Sequence, residues 1–590
     1  MKTTGKIVSF TALAAIVIGL FIFMKQERHE ISSEGYIGRS TIAVEDGKMG
    51  PEALLALGRM SDPQVSPDGK HILYGVSYTS VEENRSVRNL YICNLDGSDN
   101  QALTTAGKSV SNARWSNDGK KIIFLYGGQI WTADIKNGRK GWNLKKYRKV
   151  SEVGNGIGEF KISPDGKKVM YVSYIKSAVK SPSDCYSDLD KATAYTTDDL
   201  MYRHWDHTVM EIPHTFVAEI DTENGTMGAG KDILEGEKEL YELPTEPFGG
   251  LEQLSWSPDS RFIAYSCRKA AGKKYAFSTN TEIYIYNIKT GQTEIIEMGG
   301  GYDTDPVWSP DGTKLCWISM ERDGYEADKQ RLIVAEISMP ETGGSEAMPK
   351  VGQIQDITVD FKYNVSSPVW ASDSKAIWFA SLAEGLQGIF RAYEDAESWE
   401  IERITADDMW YDFGSPFHVA ENENGTTTLY TTWCSMDFPT ELVAVTIGKD
   451  GKAETGKPAI KAECPVIADA VSYKQITDEN GHILSQLAEH DTEARYVKTV
   501  DGKDMLTWVL YPPQFDPSKE YPFHPHLSGR PAGHIEPGLV IPLELPSDGI
   551  AGIRGSAAEP SWNDGVRPGL DRADFRRLPW SEHAGLPRGS

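Results

Sequence analysis

Cysteine is scarce in the sequence, and no two cysteines are close enough to form a recognisable site. The six cysteines of the 590 residues include no C-x-x-C pair. This excludes the common zinc-ligand spacings and thioredoxin-like redox motifs. Cys93 and Cys316 stand in the apolar runs LYICNL and KLCWIS, where a buried free thiol is expected.

Positive charge is also in deficit. The chain has 61 Lys and Arg against 85 Asp and Glu, a formal net charge of −24. Because nucleic-acid binding requires a basic surface, this balance excludes nucleic acid as a partner. The simplest explanation of the excess of acidic residues is that it keeps the protein soluble.

Charge is absent altogether from the segment Ile7 to Met24, which follows Lys2 and Lys6. Eighteen uncharged, mostly apolar residues are at the short end of a membrane span and long for the core of a signal peptide. We therefore expect residues 1–30 to be an uncleaved signal-anchor or a cleaved signal peptide, followed by a linker over 31–50. Either alternative places the remaining chain in the periplasm or cell envelope, anchored in the inner membrane if the segment is uncleaved.

A repeated turn organises the middle of the chain. Stretches such as VSPDGKHILYGVSY and WSPDGTKLCWISM combine a turn that ends in Asp-Gly or Asp-Ser with an alternating apolar strand. The turn aspartates are spaced by 50, 47, 94, 52 and 62 residues: Asp68, Asp118, Asp165, Asp259, Asp311 and Asp373. A period near 50 is typical of a four-stranded propeller blade.

The repeat predicts a mainly β fold with seven propeller blades over residues 51–490. The 94-residue spacing holds one blade with an insertion, because His214 to Gly225 supplies a late strand. A degenerate seventh blade is expected around Ser415 to Trp433. A β-sandwich does not explain so regular a repeat.

The insertion includes the stretch Asp188 to His214, which contains the sequence HWDH. Two histidines three residues apart with no third ligand nearby are a weak metal signal, so no metal is expected. A helix-loop segment lining the mouth of the propeller is the favoured interpretation. Trp205, Asp206 and Glu211 are the candidates for substrate contact.

Several longer motifs carry a resemblance to a known family. The LMYRHWD insertion, the stretch ISMERDGYEAD and the run DGKDMLTWVLYPPQFDPSKEYP resemble the prolyl oligopeptidase family of serine peptidases, and within it the dipeptidyl-peptidases. The likeness extends from Pro51 to Pro522. The SPDG turns alone are less specific, since TolB-like propellers share them.

The resemblance implies a propeller over an α/β-hydrolase domain with a Ser-His-Asp triad and no cofactor. Such enzymes release dipeptides from the amino end of short peptides. An exopeptidase of this kind needs a carboxylate for the free ammonium group of the substrate, which makes Asp206 and Glu211 candidates. The expected fold is therefore a seven-bladed β-propeller followed by the truncated start of an α/β-hydrolase domain at residues 491–522.

The expected triad is missing because the composition changes at Phe523. No G-x-S-x-G motif occurs anywhere in the chain. The last 68 residues contain no Lys, Tyr, Thr or Met, but 7 Arg, 9 Pro and 10 Gly. No strand periodicity continues after Tyr521, so residues 523–590 are expected to be a disordered tail without catalytic residues.

A shifted reading frame explains this change. Read one nucleotide later, Gly529-Arg530-Pro531 can encode Gly-Gly, and the codons of residues 538–540 and 542–545 can each supply a tryptophan codon. Those residue types fall where the family has them. A natural low-complexity tail explains the proline and glycine but not this register.

The rival interpretation is a non-enzymatic, TolB-like propeller that binds a partner in the cell envelope. The segment Gly502 to Pro522 discriminates between the two, because a protein made only of a propeller has no reason to carry it.

Overall fold

The computed structural model describes residues 30–139, 141–204, 207–247, 249–325, 327–339, 344–383, 385–395, 398–405, 412–414, 417–422, 424–436, 438–448, 471–500, 502–521, 523–527 and 551–555. The predicted membrane segment, Ile7 to Met24, lies outside these ranges. Within them, no helix combines the length and the apolar character that crossing a membrane requires.

Seven antiparallel sheets follow one another along the chain, which confirms the seven-bladed propeller. The strands of the first three blades are β1 (Arg59–Val65), β2 (His71–Ser80), β3 (Arg85–Asn94) and β4 (Gln101–Ala102); β5 (Val110–Trp115), β6 (Lys121–Tyr126), β7 (Gln129–Gly138) and β8 (Gly141–Lys149); and β9 (Glu159–Ile162), β10 (Lys168–Lys176), β13 (Glu211–Asp221), β14 (Thr226–Met227) and β15 (Lys231–Asp232). A short hairpin, β11 (Arg203–His204) and β12 (His207–Thr208), interrupts the third blade.

The last four blades repeat the same meander. Their strands are β16 (Leu254–Trp256), β17 (Phe262–Cys267), β18 (Glu282–Asn287) and β19 (Thr293–Ile296); β20 (Asp303–Trp308), β21 (Lys314–Ser319), β22 (Arg331–Ser338) and β23 (Lys350–Asp356); β24 (Ser366–Trp370), β25 (Ala376–Ala383), β26 (Leu386–Asp395) and β27 (Ser398–Arg403); and β28 (Asp412–Phe413), β29 (His418–Glu421), β30 (Thr427–Cys434), β31 (Glu441–Ile447) and β32 (Val471–Gln475). The predicted degenerate blade is the seventh, and the insertion lies in the third.

Helices are few and short in the described residues. They are α1 (Pro51–Ala56), α2 (Pro182–Cys185), α3 (Lys273–Phe277) and α4 (Gly481–Leu484), with 3-10 turns at Leu251–Gln253 and Gly344–Glu346. The insertion therefore contains one four-residue helix and otherwise turns and bridges, which agrees in part with the expected helix-loop.

Each Ser-Pro-Asp-Gly turn joins the first and second strands of a blade through the same hydrogen bonds. In the fifth blade the Ser309 hydroxyl donates to Asp311 Oδ1 at 2.7 Å, and that oxygen accepts from the Thr313 N–H at 2.9 Å. Gly312 completes the turn at φ 73°, a conformation that favours glycine. The sequence motif is thus a hydrogen-bonded hairpin turn.

The order of the strands decides which face of the propeller each loop occupies. In a four-stranded antiparallel blade, the turns between strands one and two and between strands three and four lie on one face. The loops between strands two and three, and the linkers between blades, lie on the other. We call these the turn face and the insertion face. The insertion follows β10, the second strand of its blade, so it lies on the insertion face.

Apolar packing between neighbouring sheets forms the core. Met170 and Val217 of the third blade pack with Leu254, Trp256 and Tyr265 of the fourth. The thiols expected to be buried are so: Cys93 and Cys316 are both inaccessible to solvent, and neither forms a disulfide. Burial raises the pKa of the Cys93 thiol to about 12.

The ring closes by side-chain contacts between the first and seventh blades rather than by a shared strand. Met60 and Tyr74 pack with Leu442 and Ile476 across this seam. The Asn480 side chain accepts from the Gly58 N–H at 2.7 Å and donates to the Gly58 carbonyl at 2.9 Å. The segment after β32 is therefore part of the closed ring.

The segment 31–50, predicted as a linker, is packed against the propeller instead. Ile31 contacts the core of the first two blades, and the Arg39 guanidinium donates to the Glu479 carbonyl at 2.6 Å. The Ala488 N–H donates to the Gly47 carbonyl at 2.9 Å. The sequence shows no sign of this packing, because backbone hydrogen bonds to a distant segment leave no periodicity.

A further sheet follows the propeller, with strand order β33 (Thr492–Lys498), β34 (Asp504–Leu510), β36 (Ala551–Gly555) and β35 (Phe523–Leu527). The expectation that no strand follows Tyr521 is corrected for these ten residues of β35 and β36. Strand β36 pairs antiparallel with β34, whose open edge presents N–H and C=O groups that any extended segment can satisfy. The remaining residues from 528 onwards lie outside the described ranges.

Candidate functional site

The insertion face also carries the start of the sheet after the propeller. Trp508 and Leu510 of β34 pack against Leu386 and Met436, which stand at the loops between the second and third strands of the sixth and seventh blades. Whatever this sheet belongs to therefore sits on the insertion face. Side chains on that face are the first candidates for a functional site.

A buried histidine–glutamate pair lies on this face between the third and fourth blades. His204 Nε2 is 2.7 Å from Glu242 Oε1, and the two residues are 9% and 3% exposed. The Tyr275 hydroxyl donates to Glu242 Oε2 at 2.8 Å. His204 belongs to the insertion, Glu242 to the linker into the fourth blade and Tyr275 to α3, so three separate segments meet here.

Glu246 extends the pair into a cluster. One ligand atom from each of His204, Glu242 and Glu246 lies within 4.8 Å of the others. The Tyr174 hydroxyl donates to Glu246 Oε1 at 3.2 Å. We call these three residues the His–Glu cluster.

The charges around the His–Glu cluster shift the pKa values of its members and neighbours. The hydrogen bond with Glu242 raises the pKa of His204, although burial opposes the shift. Burial and the nearby charge of Glu242 raise the pKa of the Tyr275 hydroxyl. The Arg268 guanidinium lies 3.9 Å from the centroid of the Tyr275 ring, where it stacks on the aromatic face.

Next to the cluster, the loops of the fourth and fifth blades are tied together. Both carboxylate oxygens of Asp323 accept from the Ser278 hydroxyl at 2.8 Å, and Oδ1 also accepts from the Thr279 N–H at 2.8 Å. The Gly324 N–H donates a hydrogen bond to Thr279 Oγ1 at 2.9 Å. The motif ISMERDGYEAD thus builds a fixed rim beside the cluster.

Exposed aromatic side chains accompany these polar groups. They belong to the insertion and to α3 and lie on the insertion face: Tyr186, Tyr195, Tyr202 and Phe277. A soluble chain rarely leaves so many large apolar groups uncovered in one region. This face therefore has the character of a surface that meets a ligand or another part of a protein.

Of the three residues that the sequence suggested for substrate contact, the structure describes one. Trp205 and Asp206 lie outside the described residues. Glu211 is exposed at the first position of β13, opposite Lys176 in the strand register. Burial, followed by the charges of Glu246, Glu159 and Glu211, raises the pKa of Tyr174, so Glu211 and Glu246 both act on this hydroxyl.

Sequence reasoning missed Glu242, Glu246 and Tyr275. The interpretation of HWDH as a motif without a third ligand considered only neighbouring positions, whereas Glu242 is 38 residues beyond His204. The cis peptide bonds Leu243–Pro244 and Glu246–Pro247 mark an irregular linker in this region. Both prolines stand in the sequence LPTEP. They were the feature of the sequence that could have indicated an irregular linker at this position.

No family model matches the chain. It is 37% identical over 488 residues to a dipeptidyl-peptidase 5 from Porphyromonas gingivalis, covering 82% of this chain and 64% of the relative. It is 35% identical over 494 residues to a dipeptidyl-peptidase 5 from Porphyromonas endodontalis, covering 83% of this chain and 64% of that one.

In sequence the chain is similar to these dipeptidyl-peptidases over most of its own length. It spans slightly less than two thirds of the length of these two relatives. The fold is similar to that of an acylaminoacyl peptidase from Pyrococcus horikoshii, with a TM-score of 0.57 at 17% identity over 86% of this chain and 66% of that one. The resemblance predicted from the LMYRHWD, ISMERDGYE and Gly502 to Pro522 motifs is confirmed at the level of the family.

Proposed function

We propose that the chain derives from a serine exopeptidase that releases N-terminal dipeptides from short peptides. The observation that carries the proposal is the 37% identity to a dipeptidyl-peptidase 5 over 488 residues, which is 82% of this chain. The sheet that packs on the insertion face through Trp508 supports it, because a binding protein made only of a propeller needs no such sheet. This weighs against the TolB-like alternative.

The insertion face is the proposed substrate side. It carries the exposed aromatic residues, the rim around Asp323 and the carboxylates near Tyr174. We assign the free ammonium group of the peptide to Glu211 together with Asp206, and a flanking apolar contact to Trp205. An ammonium group held by carboxylates distinguishes the end of a chain from its interior.

The chain as written is proposed to be inactive. Its 590 residues contain no G-x-S-x-G motif, and without a positioned nucleophile and base only weak residual effects remain. We attribute this to a change of reading frame near Phe523, in the gene or in its sequence, which leaves the hydrolase domain truncated.

The nucleotide sequence around codons 519–535 tests the frame. The proposal requires that a single-base correction opens a frame containing G-x-S-x-G downstream. If none of the three frames contains that motif, the proposed frame change is wrong.

Serine-reactive fluorophosphonate labelling then tests the activity. The chain as written is expected to stay unlabelled and to leave dipeptidyl reporter substrates intact, whereas the frame-corrected chain should take up label unless it is denatured first. Glu211→Gln in the corrected chain should raise KM for substrates with a free amino terminus. Labelling of the chain as written would mean that a nucleophile lies elsewhere.

We also propose that the protein is exported and held at the cell envelope through Ile7 to Met24. Only the sequence pattern of that segment supports this. Protease treatment of intact spheroplasts should digest the propeller if it lies outside the inner membrane, and a protected propeller would contradict the assignment.

A further inference from the structure

The His–Glu cluster combines the chemical groups that bind divalent transition metals. Imidazole nitrogen and glutamate oxygen are ordinary zinc ligands, and the three ligand atoms lie within 4.8 Å of one another. We propose that His204, Glu242 and Glu246 form a binding site for a divalent cation of the zinc class. The sequence did not predict this site, and nothing in the peptidase reaction requires it.

The charge balance of the site supports a cation. Glu242 is almost fully buried and Glu246 is half-buried, yet within the described ranges neither glutamate forms an ion pair with a lysine or arginine. The Arg268 guanidinium lies near the cluster, but it stacks on the Tyr275 ring and does not pair with either glutamate. Two carboxylates close together in a buried place repel each other and lose hydration, so a bound cation is favourable there.

Outer hydrogen bonds hold both glutamates in place. The Tyr275 hydroxyl donates to Glu242 and the Tyr174 hydroxyl donates to Glu246. Metal sites in proteins commonly have such outer partners, which orient the ligands and contribute to affinity. The 2.7 Å contact between His204 and Glu242 contains a proton when no metal is bound, and a metal ion would take that place.

The ligands come from two segments that are far apart along the chain. His204 stands in the hairpin of the insertion, whereas Glu242 and Glu246 stand in the linker between the third and fourth blades. A metal bound by all three would fasten the insertion to that linker.

Cobalt(II) titration of the full-length, metal-stripped chain tests the site, because the visible spectrum of the ion reports its ligands without any enzymatic activity. We expect one equivalent of Co²⁺ to bind, and Zn²⁺ to displace it. Glu246→Gln and His204→Gln should each weaken binding at least tenfold. Tyr275→Phe should weaken it roughly tenfold, as the loss of an outer partner does.

Glu239→Gln provides the matched control, since Glu239 lies in the same linker and outside the His–Glu cluster. It should bind Co²⁺ as the unmodified chain does. We compare the thermal midpoint of each metal-free variant with that of the metal-free unmodified chain. An unchanged midpoint means that weaker binding reflects the loss of a ligand, whereas a much lower midpoint means that the fold is lost.

Two results would overturn the proposal. If Co²⁺ binds equally well to the unmodified chain and to Glu246→Gln, the cluster is only a structural histidine–glutamate pair. If the metal-free chain binds a dipeptide amide in a manner that depends on Glu246, while Co²⁺ does not bind, the cluster holds an ammonium group instead. Because neither measurement uses hydrolysis, both results are independent of whether the chain is a peptidase.

Discussion

At the scale of the residue, buried carboxyl groups give the protein a pH dependence of unusual sign. Asp303 is 1% exposed, and burial raises its pKa to about 7, although hydrogen bonding from Ser319 opposes the shift. Burial likewise raises the pKa of Glu441 to about 7. Because the native state holds these two protons more tightly than the unfolded state does, the contribution of Asp303 and Glu441 to stability is most favourable in acid and is lost as the pH rises from about 4 to about 7.

Asp303→Asn tests this account. The variant keeps the shape of the side chain and removes the charge, so it should be more stable than the unmodified chain at pH 8, by roughly 1–3 kcal/mol. The difference should vanish near pH 4. Urea unfolding at a series of pH values measures it.

Asp118→Asn is the control of opposite sign. The hydrogen bond from the Ser116 hydroxyl lowers the pKa of Asp118, so its stabilising effect is present above the unfolded pKa and lost in acid. This variant should be less stable than the unmodified chain at neutral pH. Equal pH profiles for the two variants would contradict the account of Asp303.

At the scale of the element, the repeated turn depends on backbone conformation more than on packing. Gly69 adopts φ 63°, and a Cβ added there meets nothing within 4 Å. Gly69→Ala should therefore cost about 1 kcal/mol through backbone strain alone. Thermal or urea unfolding measures the loss.

Gly154→Ala makes a matched comparison. A Cβ at Gly154 also meets nothing within 4 Å, and its φ is not in the left-handed region. This variant should be neutral or slightly stabilising. If both substitutions lower the free energy of unfolding by the same amount, the turn does not depend on the conformation of its glycine.

At the scale of the whole molecule, the structure shows where the chain can be cut so that the propeller is kept whole and the sheet that follows it is removed. One possible end point is near Pro465, between the third and fourth strands of the seventh blade. That end removes β32, the last strand of the seventh blade, and with it Ile476 and Asn480, which close the ring. The exposed edge of β31 would then be open to aggregation.

A chain ending at His490 should therefore fold as a soluble propeller with one cooperative transition. A chain ending at Pro465 should give less soluble protein or a lower thermal midpoint, because the buried backbone of Gly58 loses both hydrogen bonds to Asn480. Soluble yield and resistance to limited proteolysis are the measurements. A fully soluble chain ending at Pro465 would show that the seam is not needed for closure.

Local signals explain why so much of the fold could be predicted. The turns around Asp68 and Asp311 repeat along the chain, and a hairpin turn is fixed by its own few residues. The candidate site could not be predicted in this way. His204 stood out in the sequence, but Glu242 reaches it only because the insertion and the linker into the fourth blade lie on the same face of the ring.

The sequence by itself determined the blade count, the position of the insertion and the family, because each depends on short motifs repeated or matched along the chain. The tertiary structure alone decided that the segment 31–50 packs on the ring, that Asn480 closes it, and that β36 pairs with β34. It also decided that two glutamates and a histidine meet on the insertion face. The physical reason is the same in each case: contacts between distant segments depend on how the blades close into a ring, and no local pattern records that closure.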